Sequence, residues 1–142
     1  MSKGNTFEND ILKLIFNATA IANLADNAAS SPNTNLYVSL HTADPGEAGD
    51  QTTNETSYTS YARVAVARSG SGWTVTNNSV SPAANIDFPE CTGGSATITH
   101  FGVGTASSST GKLLYKGAVS PNISVSSGVI PRLKTTSAIT ED

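Results

Sequence analysis

The sequence predicts a mainly β protein: an antiparallel β-sandwich or barrel of about seven to nine short strands with one N-terminal α-helix. Three observations carry this. Apolar and polar residues alternate with period two in several short runs, most cleanly in Leu36-Tyr37-Val38-Ser39-Leu40-His41. Clusters of Gly, Pro, Ser and Asn separate those runs. Helical periodicity is confined to the stretch before residue 28. The chain of 142 residues is long enough for one domain with a real core. Residues 1–5 read as a flexible N-terminal arm, residues 6–133 as a single β domain whose helix covers 6–27, and residues 134–142 as a C-terminal tail.

The helix is well punctuated at its start. Asn5 or Thr6 caps it, and Glu8 stands three residues after Asn5, the spacing of a capping box. Glu8 and Asp10 put negative charge where the helix dipole favours it. Phe7, Ile11, Leu14, Ala18, Ile21 and Ala25 recur at three- and four-residue steps, and Leu12, Ile15, Phe16, Ala22 and Leu24 widen the stripe. A helix apolar over so much of its girth needs cover on more than one side. It is either a plain core helix or one whose outer side faces a second subunit, through residues such as Phe7, Ile11 and Phe16.

Residues 27–35 are turn formers that deliver the chain into the strand at Leu36. Asp44-Pro45-Gly46 ends that strand, since Pro45 removes a donor and Gly46 admits positive φ. Residues 44–60 form a long polar connection, either a solvated loop or an inter-subunit arm, with Asp44, Pro45 and Glu47 as expected contacts. Its acidic groups Asp44, Glu47, Asp50 and Glu55 do not follow the ligand spacing of a calcium loop. Residues 61–68 form the next strand, and Ser69–Gly72 turns it into Trp73-Thr74-Val75-Thr76. Trp73 anchors the core or an interface rim, with Tyr58 and Tyr61 in the same aromatic cluster. Further strands are expected over 84–88, closed by Pro89, and over 95–104. Another runs over 112–119, broken by Pro121 and resuming at 123–125, and a last one over 129–133. The tail is disordered or adds to a neighbour.

The net charge of −3 and pI near 5.2, with lysines and arginines scattered, argue against a nucleic-acid partner. Only 13% of residues are charged, which suits a protein covered by neighbours or an extracellular β protein. No apolar run approaches membrane-spanning length. The chemistry-bearing inventory is thin. There is no Gly-x-Ser-x-Gly, phosphate loop or metal-spaced His or Cys cluster, so no catalytic residue, cofactor or metal is expected. His41 and His100 each read as one member of a cross-strand polar pair, and Cys91, the sole cysteine, as a small residue at a strand end.

The run Leu36-Tyr37-Val38-Ser39-Leu40-His41-Thr42-Ala43-Asp44-Pro45-Gly46-Glu47-Ala48-Gly49, followed by Ser57-Tyr58 and Tyr61-Ala62-Arg63, resembles small structural proteins of tailed bacteriophages. Ile86-Asp87-Phe88-Pro89, Thr99–Val103, Leu113–Ala118 and Val125–Gly128 continue the same pattern in order, from about Phe7 to Leu133. Val129-Ile130-Pro131-Arg132 departs from it, standing where acidic and aromatic residues are usual. The resemblance implies a virion part with no active site. The first expectation is a capsid decoration (cement) protein on the outer surface of the head. It would be a homotrimer that bridges and stabilises subunits of the major capsid protein. The alternative is a tail or fibre component, an adaptor or short receptor-binding fibre, partnered by tail proteins. A third class, a glycan-degrading virion enzyme, would use Asp44, Asp87 or Glu90. With no signal peptide in residues 1–10, the chain is expected to be made in the host cytoplasm, with no membrane partner.

Overall fold

The computed structural model of the chain describes residue 3, residues 5–21 and residues 32–141. It is mainly β: helix α1 (Asn5–Asn17) precedes β1 (Asn35–His41), β2 (Val64–Ala67), β3 (Trp73–Thr76), β4 (Ser79–Pro82), β5 (Ile86–Asp87), β6 (Ser95–Gly104), β7 (Leu113–Ser126), β8 (Arg132–Leu133) and β9 (Ile139–Thr140). These form a four-stranded sheet in the order β2-β1-β6-β7, a three-stranded sheet β3-β4-β9 and a two-stranded sheet β5-β8. The chain divides into two compact units. The first comprises 1–35, 66–85 and 134–142; the second comprises 36–65 and 86–133.

In the first unit, α1 buries a narrow stripe, Glu8, Leu12 and Phe16, at four-residue steps. Phe16 meets Trp73 edge to face, with ring centroids 4.8 Å apart. Both side chains are almost completely buried, as is Val80 on β4. Phe7, one position off the stripe, stays 40% exposed. The helix ends at Asn17, earlier than its apolar periodicity predicts, and Ala18 turns left-handed at φ 54°. The reason lies far away in sequence. The Arg68 guanidinium donates to the carbonyl oxygens of Leu14 (2.5 Å) and Ile15 (2.6 Å), satisfying terminal groups that a longer helix would have bonded internally. Residues 22–27 of the expected helix, the following loop to residue 31, and Met1, Ser2 and Gly4 of the arm lie outside the described residues.

Two strands of this unit have no counterpart in the sequence reading. β4 pairs with β3 (Val75↔Val80), and β9 pairs with β4 (Val80↔Ile139). The tail therefore folds back on its own chain at Ile139–Thr140, where a disordered end or a neighbour's added strand was expected.

In the second unit, β1 lies between β2 and β6, with Tyr37–His41 opposite Gly104–His100. β6 pairs in turn with β7, with a register shift between Ile98 and His100. Pro121 does not break β7, which runs on from Leu113 to Ser126. β7 is the outer strand, where a residue without an N–H costs no ladder bond. Leu36, Val38, Leu40, Ile98, Val103 and Val125 fill the core. Tyr58 and Tyr61 pack together (5.3 Å) and Tyr61 stacks on Phe88 (6.4 Å), whereas Trp73, expected in the same cluster, belongs to the first unit and meets Phe16 there.

Phe16→Ala removes the ring against Trp73 and is expected to cost about 3–5 kcal/mol, whereas Phe7→Ala costs less than about 1 kcal/mol. Urea unfolding followed by the fluorescence of Trp73, the sole tryptophan, measures both. Equal losses would contradict this account of the helix face.

Candidate functional site

The second unit concentrates its polar chemistry where residues 44–60 return over β1. β1 is buried on both faces from Val38 onward: Ser39 and His41, on the polar side of the alternation, are 0% exposed. Thr42 N donates to Asn54 O (2.9 Å) and Thr56 N to Leu40 O (2.9 Å), with a bridge between His41 and Glu55. Residues 54–56 thus pair alongside the end of β1, as an added antiparallel rung at its edge.

His41 ties the loop to β1. Its Nδ1 is 2.9 Å from Thr53 O and its Nε2 2.8 Å from Ser39 Oγ. A carbonyl only accepts, so Nδ1 carries the proton and Nε2 accepts from the Ser39 hydroxyl. Burial lowers the His41 pKa, outweighing the opposing hydrogen bond to Thr53 and the charge of Glu55. His41 and His100 oppose each other in register, a pairing that the alternation alone does not give, and His100 Nδ1 pairs with its neighbour Thr99 Oγ1 (2.9 Å).

Gln51 is a second fastening. Its side chain is fully buried, its Oε1 accepts from Ala106 N (2.9 Å), and its backbone N donates to Gly111 O (3.1 Å). A Cβ on Gly104 or Gly111 would come within 2.1 Å of the Gln51 side chain, so a larger residue at either position would push Gln51 out of its place.

The third fastening is ionic. Arg63 Nε and Nη2 each lie 2.7 Å from an oxygen of Glu55, a bidentate pair. Arg63 also donates to Ala106 O (3.0 Å) and Ser109 O (2.8 Å). Tyr61 Oη donates to Glu55 Oε1 (2.8 Å) and accepts from Leu40 N (3.1 Å). Its pKa is driven up, first by burial. Tyr58 Oη donates to Pro89 O (2.8 Å), and burial pushes its pKa up to about 12.

At the outer end of the loop, Asp44 Oδ1 accepts from Gly46 N (2.8 Å), which closes an Asx turn. Lys116 Nζ on β7 lies 3.0 Å from Asp44 Oδ1 and 3.1 Å from Glu47 Oε1. The Gly46 N–H and then Lys116 hold the Asp44 carboxyl below its ordinary range. Beside this cluster lies an open groove of about 260 Å³, walled by Gly46, Glu47 and Gly49 on one side and Leu113–Lys116 on the other.

The expected contact residues fall in both units. Asp44 and Glu47 are exposed and meet on Lys116, while Pro45 is buried in the turn between them. In the first unit Phe7 is exposed and Ile11 half-buried, but Phe16 and Trp73 are spent on each other in the core. The sequence reading missed Gln51, Glu55, Arg63 and Lys116. The only local signal was an acid, Glu55, eight residues before a cation, Arg63.

The loop's carboxylates already have work. Asp50 accepts from Thr52 N (2.7 Å) and Thr52 Oγ1 (2.6 Å), Glu55 binds Arg63, and Asp44 and Glu47 bind Lys116. Among the described residues, no three His, Cys, Asp or Glu side chains are grouped to hold a metal ion. Asp87 is held by Arg132, whose hydrogen bond lowers its pKa, so Asp44 and Asp87 are both kept ionised rather than poised as proton donors.

The family model described as podophage GP4 fiber I protein gp80 matches residues 2–140. No curated protein matches the chain.

His41 gives a pH dependence with a definite sign. The unfolded chain takes up a proton on His41 as pH falls through about 6.5, while the folded imidazole, its pKa lowered, stays neutral. Stability from this residue is complete above that range and is lost as pH falls from about 6.5 to the folded pKa. His41→Gln is expected to flatten the dependence of the denaturation midpoint on pH between about 7 and 5. An unchanged slope would contradict the assignment.

Proposed function

The chain belongs to the podophage GP4 fiber I protein gp80 family, which makes it a virion structural protein, and from that premise we propose that it is a building part of a podophage tail fibre. The observation that carries this reading is the extent of the match. It spans 2–140, so the likeness covers both compact units rather than one motif. The family match supports the tail or fibre alternative, and it lends nothing to capsid decoration or to contact with the major capsid protein. The partners in this reading are other tail proteins and further copies of the chain.

The fold is suited to such a part. A fibre component transmits contact through its surface, so it must keep that surface in one shape. Residues 44–60 are clamped at Gln51, His41 and Glu55, and leave Glu47 and the groove beside β7 facing outward. Asp44, Glu47 and Lys116 are accordingly the residues proposed to meet a neighbouring tail protein. The use of buried and half-buried polar groups in holding the loop fits a structural role better than an enzymatic one.

Localisation on the virion tests the reading. Gold-labelled antibody against the protein, with a cryo-EM map of the intact particle, is expected to place it at the tail, with copies set by tail symmetry. Label spread over the capsid shell at its local threefold positions would overturn it.

A further inference from the structure

The first unit holds an open groove of about 520 Å³ between the start of α1 and the tip of the β3–β4 hairpin. Its walls are fastened. Asn9 Nδ2 donates to Asn77 O (2.6 Å), Asn78 Nδ2 donates to Glu141 O (3.1 Å), and Asn77 turns the hairpin at φ 54°. The other polar side chains that line it are uncommitted. Among the described residues, the amides of Asn5 and Asn77, the Thr6 hydroxyl and the Lys13 ammonium have no hydrogen-bond or ion-pair partner. Val75 adds an apolar surface, and among the described residues no carboxylate lines the groove.

The donor set points to a class of ligand. A side-chain amide offers a donor and an acceptor together, and a hydroxyl offers both on one atom, so the two suit a ligand rich in hydroxyls. An ammonium offers only donors and a positive charge, which suits an anion. The volume falls within the range of small-molecule sites. A single lysine on a chain of net charge −3 is a poor match for a nucleic-acid backbone.

We propose that this groove binds an acidic saccharide, a sugar segment bearing a carboxylate or a phosphate. The inference deepens the fibre reading, on which its biological sense rests: the part would then touch a polysaccharide as well as its neighbours in the tail.

The test is a titration of the full-length, ¹⁵N-labelled protein followed by NMR. The probes are tetragalacturonate for a carboxylate, glucose 6-phosphate for a phosphate, cellotetraose as a neutral sugar and inorganic phosphate as an anion without a sugar. The side-chain amides of Asn5 and Asn77 are expected to shift and saturate with one of the two acidic sugars. Lys13→Gln is expected to weaken that binding about tenfold by removing a charged hydrogen bond. Asn77→Asp keeps a residue tolerant of the left-handed backbone, sets a carboxylate in the groove and is expected to weaken it as well. Absence of shifts with both acidic sugars overturns the proposal, and so does undiminished binding in both variants. Equal or tighter binding of cellotetraose or of inorganic phosphate overturns it too. A protein found on the fibre that binds neither acidic sugar defeats this inference alone, whereas a saccharide-binding protein found on the capsid shell defeats the fibre reading alone.

Discussion

β1 is buried on both faces, and the second unit depends on how that burial is satisfied. A strand that alternates apolar with polar residues normally leaves its polar side to water. Here Ser39 and His41 are sealed in, so their polar atoms must find partners inside the protein. Residues 44–60 supply one for His41, and Ser39 bonds in turn to His41. Thr53 O accepts a hydrogen bond from His41 Nδ1, and Thr42, Leu40, Asn54 and Thr56 exchange backbone bonds along the strand's edge. Once the loop is laid down, its own polar groups need partners too, and Gln51 and Glu55 reach Ala106, Arg63 and Tyr61. The Glu55–Arg63 pair is closely enclosed, with the Arg63 side chain only 3% exposed. Removing one partner would strand the other's charge, which makes the pair a constraint on conformation more than a surplus of stability.

The same logic shapes what the molecule presents outward. Carboxylates that in another setting would suggest a metal or an acid-base pair are tied down by Thr52, Arg63, Lys116 and Arg132. What remains for interaction is surface: Glu47 with the groove beside β7 in one unit, and the amide-lined groove beside α1 in the other. This fits membership of a fibre protein family, where a part works by holding its shape and presenting contacts.

The fold class and the strands β1, β2, β3, β5, β6 and β8, with both parts of β7, were legible because they rest on local patterns: short apolar runs bounded by turn formers. Other features were not, for identifiable reasons. The helix stop at Asn17 is set by Arg68, more than fifty residues away, and no Gly or Pro marks it locally. β4 reads Ser-Val-Ser-Pro and β9 is two residues long; both are strands only because they pair with each other and with β3. Pro121 reads as a breaker unless the strand is known to lie at the sheet's edge. The region 44–60 looks like a solvated loop because its composition is polar, yet Gln51 and Thr56 are buried, Gln51 against Ala106 and Gly111 from a distant turn and Thr56 against Leu40 of β1. Of the expected contact residues, Asp44 and Glu47 were recognisable by their place in a turn, whereas their convergence on Lys116 depends on how β7 is paired.

Amide hydrogen exchange of the free protein tests most directly whether residues 44–60 are held as fixed structure. The amides of Thr42, Gln51 and Thr56, which donate to Asn54, Gly111 and Leu40, are predicted to be protected to a degree comparable with the amides of β1 itself. Exchange of these amides at the rate of an open chain, with β1 still protected, would contradict the account and return the loop to a mobile arm.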